Sequence, residues 1–233
     1  MADPTEVFGV MAADVPIWRN FVAVYDGSSE LERRRGERWY LNAWRFSRAL
    51  AETHWHHGTQ RRTIQAAAIV AALGQQTSWE RNQELALEVF AAKGELDGGT
   101  FEAVRDKCSR LFHGAEPYRV LGGPKITAFF ACIAAQGECA DVTVDRHIAH
   151  IAYGQILADR DRNNKLRVTK SRDGYEAVAH EVRAACAYVN QRDSEHWSPA
   201  KFQAVVWISW RNVLLGEERG FRAPERDLAV VGA

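Results

Sequence analysis

No apolar run in this chain of 233 residues approaches the length of a membrane span. The first residues, MADPTEVFGV, also lack the basic-then-apolar profile of a secretory leader. A cytoplasmic protein without membrane contact is therefore expected. Cysteine is sparse: Cys108, Cys132, Cys139 and Cys186 are scattered without metal-ligand spacing. Cys132 and Cys186 lie in apolar helical contexts and are expected as buried thiols. An excess of either charge is missing too, with 30 basic against 30 acidic residues, which counts against binding nucleic acid through bulk charge. No useful stretch alternates apolar and polar residues at period two, and there are no internal repeats, so an all-α fold is expected. The run His54, Trp55, His56, His57 invites a metal, yet no acidic or thiol partner stands at ligand spacing. It reads as a helix end or an exposed turn, and no metal is expected.

What is present is helical periodicity. Hydrophobic residues make up 46% of the chain, enough at this length for one domain or two closely packed lobes. Residues 1–13 read as a frayed terminus. Val15–Tyr25 is a short apolar segment suited to a packed helix. Ser28 or Ser29 can cap a long helix from Glu30 to about Thr53, with Trp39, Leu41, Trp44, Phe46 and Leu50 as its buried positions. Thr63–Leu73 is an alanine-rich helix suited to close packing. Thr77 or Ser78 can cap the next helix, whose core face is Leu85, Ala86, Val89 and Phe90. A helix from Thr100 to about Phe112 ends at His113-Gly114. Helices are expected again over Tyr175–Asn190 and, behind Ser198-Pro199, over Phe202–Leu215. Asp159–Arg172 carries six basic against two acidic residues, and Arg33, Arg34, Arg35 and Arg38 form a second basic cluster. Each alone reads as a solvated surface. The residues from Gly216 onward read as a loosely held tail.

Two stretches carry chemistry. In Val120–Ile133, VLGGPKITAFFACI, Gly122 and Gly123 supply unusual backbone angles and Pro124 suits a first helical turn. Ile126, Phe129, Phe130 and Ile133 then fall on one face. The turn leaves backbone amides at a helix N-terminus, where a phosphate can bind. In Val142–Gly154, VTVDRHIAHIAYG, Asp145 stands where a helix should begin, with Ile148, Ile151 and Ala152 as its buried stripe. Alone, Asp145 reads as a capping residue. Upstream, Gly74, Gln75, Gln76 and Thr77 form a polar break between helices. Paired glutamines can fill a gap in a duplex or read a base edge, and Trp79 can stack on a base; the same residues also read as a capping turn beside a buried indole.

Taken in order and spacing, these stretches resemble the helix-hairpin-helix (HhH-GPD) DNA glycosylase superfamily, the group of endonuclease III and the adenine-mismatch glycosylases. Gly122, Thr127 and Ala128 match the L-P-G-x-G-x-x-T-A hairpin, and Val144, Asp145 and His147 match the context of the catalytic aspartate. Leu73–Asn82, LGQQTSWERN, resembles the segment that opens the pocket-lining helix, and Phe202–Arg211, FQAVVWISWR, the closing helix. The resemblance implies two helical lobes with a cleft between them, organised as an N-terminal helical extension over 1–60, the glycosylase-like domain over 61–215 and the tail over 216–233. It implies a monomer that acts on duplex DNA with an extruded nucleotide. Gly122, Gly123, Lys125, Thr127, Arg146 and His147 would contact the DNA, while Gln75, Gln76 and Trp79 would line the base pocket. Asp145 would stabilise the cation that builds on the sugar as the glycosidic bond breaks.

Departures from the superfamily pattern sharpen the expectation. No cysteine follows Cys186, so the iron–sulfur cluster of several relatives cannot be built, and no cofactor is expected. The gapless register puts Ile126 where lyase-active relatives keep a lysine nucleophile, with Lys125 one residue earlier, where it would meet phosphate. A slip of one residue would restore Lys125 as the catalytic nucleophile but break the T-A match. A monofunctional enzyme is expected. Ile69–Leu73 is wholly apolar where adenine-mismatch enzymes carry a glutamate, which argues against adenine removal by their mechanism. Two further readings stand beside excision: a transferase acting on hypermodified pyrimidines with the same fold, and a DNA-binding module without catalysis.

Overall fold

A computed structural model of the chain describes residues 3–10, 16–55, 59–75, 77–156 and 171–216. Among these residues there are eleven α-helices and no strand, so the fold is all-α, as periodicity requires. No helix among them is long and apolar enough to cross a membrane. The chain divides into two compact units, one assembled from residues up to Tyr40 and from Gly137 onward, the other from Leu41–Gln136. Helix α3, Glu30–Trp55, runs through the division at Tyr40, while the helices before it pack with helices that follow Gly137.

The discontinuous unit holds α1 (Pro4–Phe8), α2 (Trp18–Asp26), the first part of α3, α9 (Arg146–Ala152), α10 (Arg172–Asp193) and α11 (Pro199–Leu215). The N-terminus is not frayed throughout. Asp3 caps α1 by accepting from the Thr5 amide at 2.8 Å, and Phe8 stacks on Trp210 at 6.3 Å. Helix α2 packs against α9, α10 and α11, and Phe21, Val24 and Tyr25 are fully buried on it. Of the two serines before α3, Ser29 makes the reciprocal cap: its amide donates to Glu32 Oε2 at 2.8 Å and its hydroxyl accepts from the Glu32 amide at 3.3 Å. Glu32 also accepts from Asn212 near the end of α11. At Gly36 α3 meets α11 closely, since a Cβ there would lie 2.6 Å from the Val205 backbone. In the basic cluster, Arg33 lies over the Tyr25 ring at 4.3 Å and Arg34 pairs with Glu30, so both have structural partners.

The continuous unit is organised on α4, Gln60–Leu73, which starts earlier than expected because Thr59 caps it. Its alanines Ala66, Ala67, Ala68, Ala71 and Ala72 are fully buried, and their small side chains let α5 (Trp79–Ala91), α6 (Glu102–Phe112) and α8 (Pro124–Ala134) pack on one helix. A four-residue helix, α7 (Pro117–Val120), precedes α8. Trp55, Phe90 and Phe112 form an aromatic cluster here, with the His54 ring 5.4 Å from Phe90. His56, His57, residues 159–170 of the basic stretch Asp159–Arg172 and residues 217–233 of the tail lie outside the described residues. All four cysteines are free thiols; Cys132 and Cys186 are buried, and so is Cys108. Among the described residues no group of three His, Cys, Asp or Glu side chains is placed to share a metal ion.

Candidate functional site

The peptide that leads into Asp145 belongs to neither helix nor sheet, so its backbone groups need partners elsewhere. Tyr175, buried on α10, supplies them: its hydroxyl donates to the Val142 carbonyl at 2.7 Å and accepts from the Val144 amide at 3.0 Å. Between those points Thr143 Oγ1 lies 3.1 Å from the Tyr40 hydroxyl, which is itself 2.7 Å from Gln203 Oε1. Helices α3, α10 and α11 thus fix the approach to one side chain.

Asp145 caps α9. Its Oδ1 accepts from the amides of His147 at 2.9 Å and Ile148 at 3.0 Å. Its Oδ2 accepts from the indole Nε1 of Trp207 at 2.8 Å. The Trp207 ring lies 5.6 Å from that of Trp39, under the Arg211 guanidinium at 4.7 Å, with the His147 ring edge-on at 6.4 Å. Asp145 and His147 are half-buried and Arg146 is exposed. Ile148, Ile151 and Ala152 are buried, the stripe expected of this helix. Behind them His150 is buried, its ring 5.8 Å from His147, and its pKa falls to about 4. Burial is the main cause, and the charges of His147 and Arg146 add to it while Asp145 opposes it. The result is a half-buried carboxylate held, among the described residues, by the N–H donors of His147, Ile148 and Trp207 beside the exposed Arg146. Such a group can stabilise positive charge on a bound molecule without reorganising.

In the continuous unit, α7 and α8 are joined by the bend at Gly122-Gly123. Only Gly123 of the pair takes a positive φ, at 81°, where a side chain would be strained; Gly122 does not, so one glycine makes the unusual turn rather than two. A Cβ on either would meet nothing within 4 Å, so the bend is open. Pro124 opens α8 and has no N–H, while the Thr127 amide and hydroxyl both donate to the Gly123 carbonyl, at 3.2 and 3.1 Å. The backbone donors of the first turn are then those of Lys125 and Ile126. Lys125 is half-buried, and Ile126 is buried with Phe130 and Ile133. An apolar, covered side chain therefore occupies the position where the gapless register seeks a lysine nucleophile.

Ser78, rather than Thr77, caps α5, and Thr77 donates to the Gln75 carbonyl at 2.8 Å. Gln75 is half-buried, and Gln76 lies outside the described residues. Trp79 is only 6% exposed and sits edge-on to Phe46 at 6.1 Å.

A family model matches residues 11–214, which include both stretches described above. The chain belongs to DUF7178, a family of unknown function. Neither the curated proteins nor the solved structures contain a match to it. Within the DUF7178 segment, sequence reasoning singled out Asp145 but passed over Trp207, Tyr175, Tyr40 and Gln203. The one signal for Trp207 was its place in FQAVVWISWR. Between Phe202 and Trp210 it is the one side chain that is not buried.

Proposed function

We propose that this protein is a DNA glycosylase-like enzyme of the helix-hairpin-helix kind, which hydrolyses the N-glycosidic bond of a damaged or modified nucleotide extruded from duplex DNA. The bend at Gly122-Gly123, with Lys125 and Thr127, holds backbone phosphate, and Arg146 and His147 add contacts beside the reacting sugar. Asp145 stabilises the charge that develops on that sugar and orients the attacking water. The observation that supports the reading is the held Asp145 carboxylate, which accepts from the His147 and Ile148 amides and the Trp207 indole and is still half-exposed. The burial of Ile126 supports hydrolysis without a Schiff base on the hairpin.

The test is single-turnover incubation with a panel of duplexes, each bearing one damaged or modified base. Abasic product is expected on at least one, and Asp145→Asn should slow its formation by at least about 10²-fold. Because asparagine is also a good cap, this variant should stay folded. No abasic product on any duplex, with wild type and variant alike, would overturn excision. The departures at Pro124 and Ile126 favour a second reading, transfer of a group onto a modified pyrimidine. That reading predicts nucleosides that remain attached but change in mass.

A further inference from the structure

A helix cap needs one side-chain oxygen. Asp145 meets that need with Oδ1 alone, which serves both α9 amides. The bond from Trp207 to Oδ2 therefore adds nothing to the cap, and it comes from a residue 62 positions away on another helix. It does restrict the carboxylate. With donors on one oxygen only, the group can still swing about its Cβ–Cγ bond. A donor on each oxygen fixes the plane of the carboxylate, and hence the direction in which it presents its charge.

The indole is itself well placed to hold that direction. Its ring is held by Trp39 and by Arg211, and α11, which carries it, is buried at Ala204, Val205, Val206, Ile208 and Trp210 around it. An aromatic ring has few rotatable bonds, so an N–H so packed is a stiff donor. A half-buried tryptophan at this point is also not needed to fill the core, since its neighbours along α11 already do so.

We propose that Trp207 is a positioning residue for Asp145: its indole N–H sets the carboxylate plane so that the charge faces the cationic sugar formed in base excision. This inference rests on the excision reading. It does not require knowledge of the base, because a nucleotide whose base is leaving carries the same cationic sugar whichever base it was. A ligand of that chemistry is available: duplex DNA carrying a cationic pyrrolidine in place of one abasic sugar. The matched neutral control is the same duplex with tetrahydrofuran.

Wild type should bind the pyrrolidine duplex about tenfold or more tightly than the tetrahydrofuran duplex, and Asp145→Asn should lose that preference. Trp207→Phe, which keeps a ring but removes the N–H, should cut the preference several-fold. A merely structural role would instead weaken both duplexes together and leave the ratio intact, which would overturn the inference while the excision reading stood. No preference in wild type would overturn both. Should Trp207→Phe fail to fold, the wild-type indole N–H resonances decide. One should titrate with the Asp145 carboxylate and move in Asp145→Asn, and the absence of any such signal would overturn the proposal.

Discussion

His150 shows what a single buried side chain does to this protein. Neither ring nitrogen meets a hydrogen-bond partner among the described residues, and the side chain is 3% exposed. Its pKa is depressed from 6.5 to about 4. The unfolded chain thus binds the extra proton in that interval and the folded one does not. Stability is complete above pH 6.5 and is lost as the pH falls toward 4, by about 3 kcal/mol. His150→Leu should flatten that acid loss in urea unfolding followed as a function of pH. At neutral pH it should be neutral or slightly stabilising, since no hydrogen bond is lost. At this scale the sequence was legible where partners are local. Asp145 reads as a cap because the amides it accepts from lie two and three residues on. Trp207 and Tyr175 were not legible, because their bonds to the Asp145 segment depend on how distant helices pack.

Helices were the legible elements, because apolar periodicity and capping residues are both written locally. Ser29, Ser78 and Ser198 start their helices where side-chain chemistry allows, and Glu116 starts the short α7. Helix α10 begins at Arg172, earlier than the apolar pattern suggests, because Ser171 caps it before the first buried residue arrives. The close approach at Gly36 was not legible, since a glycine within a helix reads only as a weak helix former. Gly36→Ala in an exposed helix would stabilise by about 0.5–1 kcal/mol. Here the added carbon would enter the Val205 backbone, which cannot turn aside as a flexible side chain could. Gly36→Ala should therefore destabilise, by about 1–3 kcal/mol in denaturant unfolding.

The division of the molecule was hidden for a similar reason. Composition shows no break at Tyr40, and α3 passes through that point as one helix. What decides membership is long-range packing of α1 and α2 with α9, α10 and α11. The N-terminal helices thus pack into the core of the unit that holds α9, α10 and α11. Removing residues 1–27 would strip the partners from that unit and expose what Phe21, Val24 and Tyr25 cover. Each such side chain contributes about 1.5–3 kcal/mol when buried, so the sum rivals the whole stability of a domain. The truncated chain should lose cooperative thermal unfolding by circular dichroism, whereas a dispensable extension would leave it intact.

A unit assembled from two segments far apart in the chain also has a timetable. The ribosome releases Leu41–Gln136 while the helices that must cover α2 are still untranslated. At about 5–20 residues per second, Phe21, Val24 and Tyr25 wait on the order of ten seconds for α11 to emerge. Nascent α2 is therefore the segment a chaperone would meet first, and the place where slowed translation would do most harm.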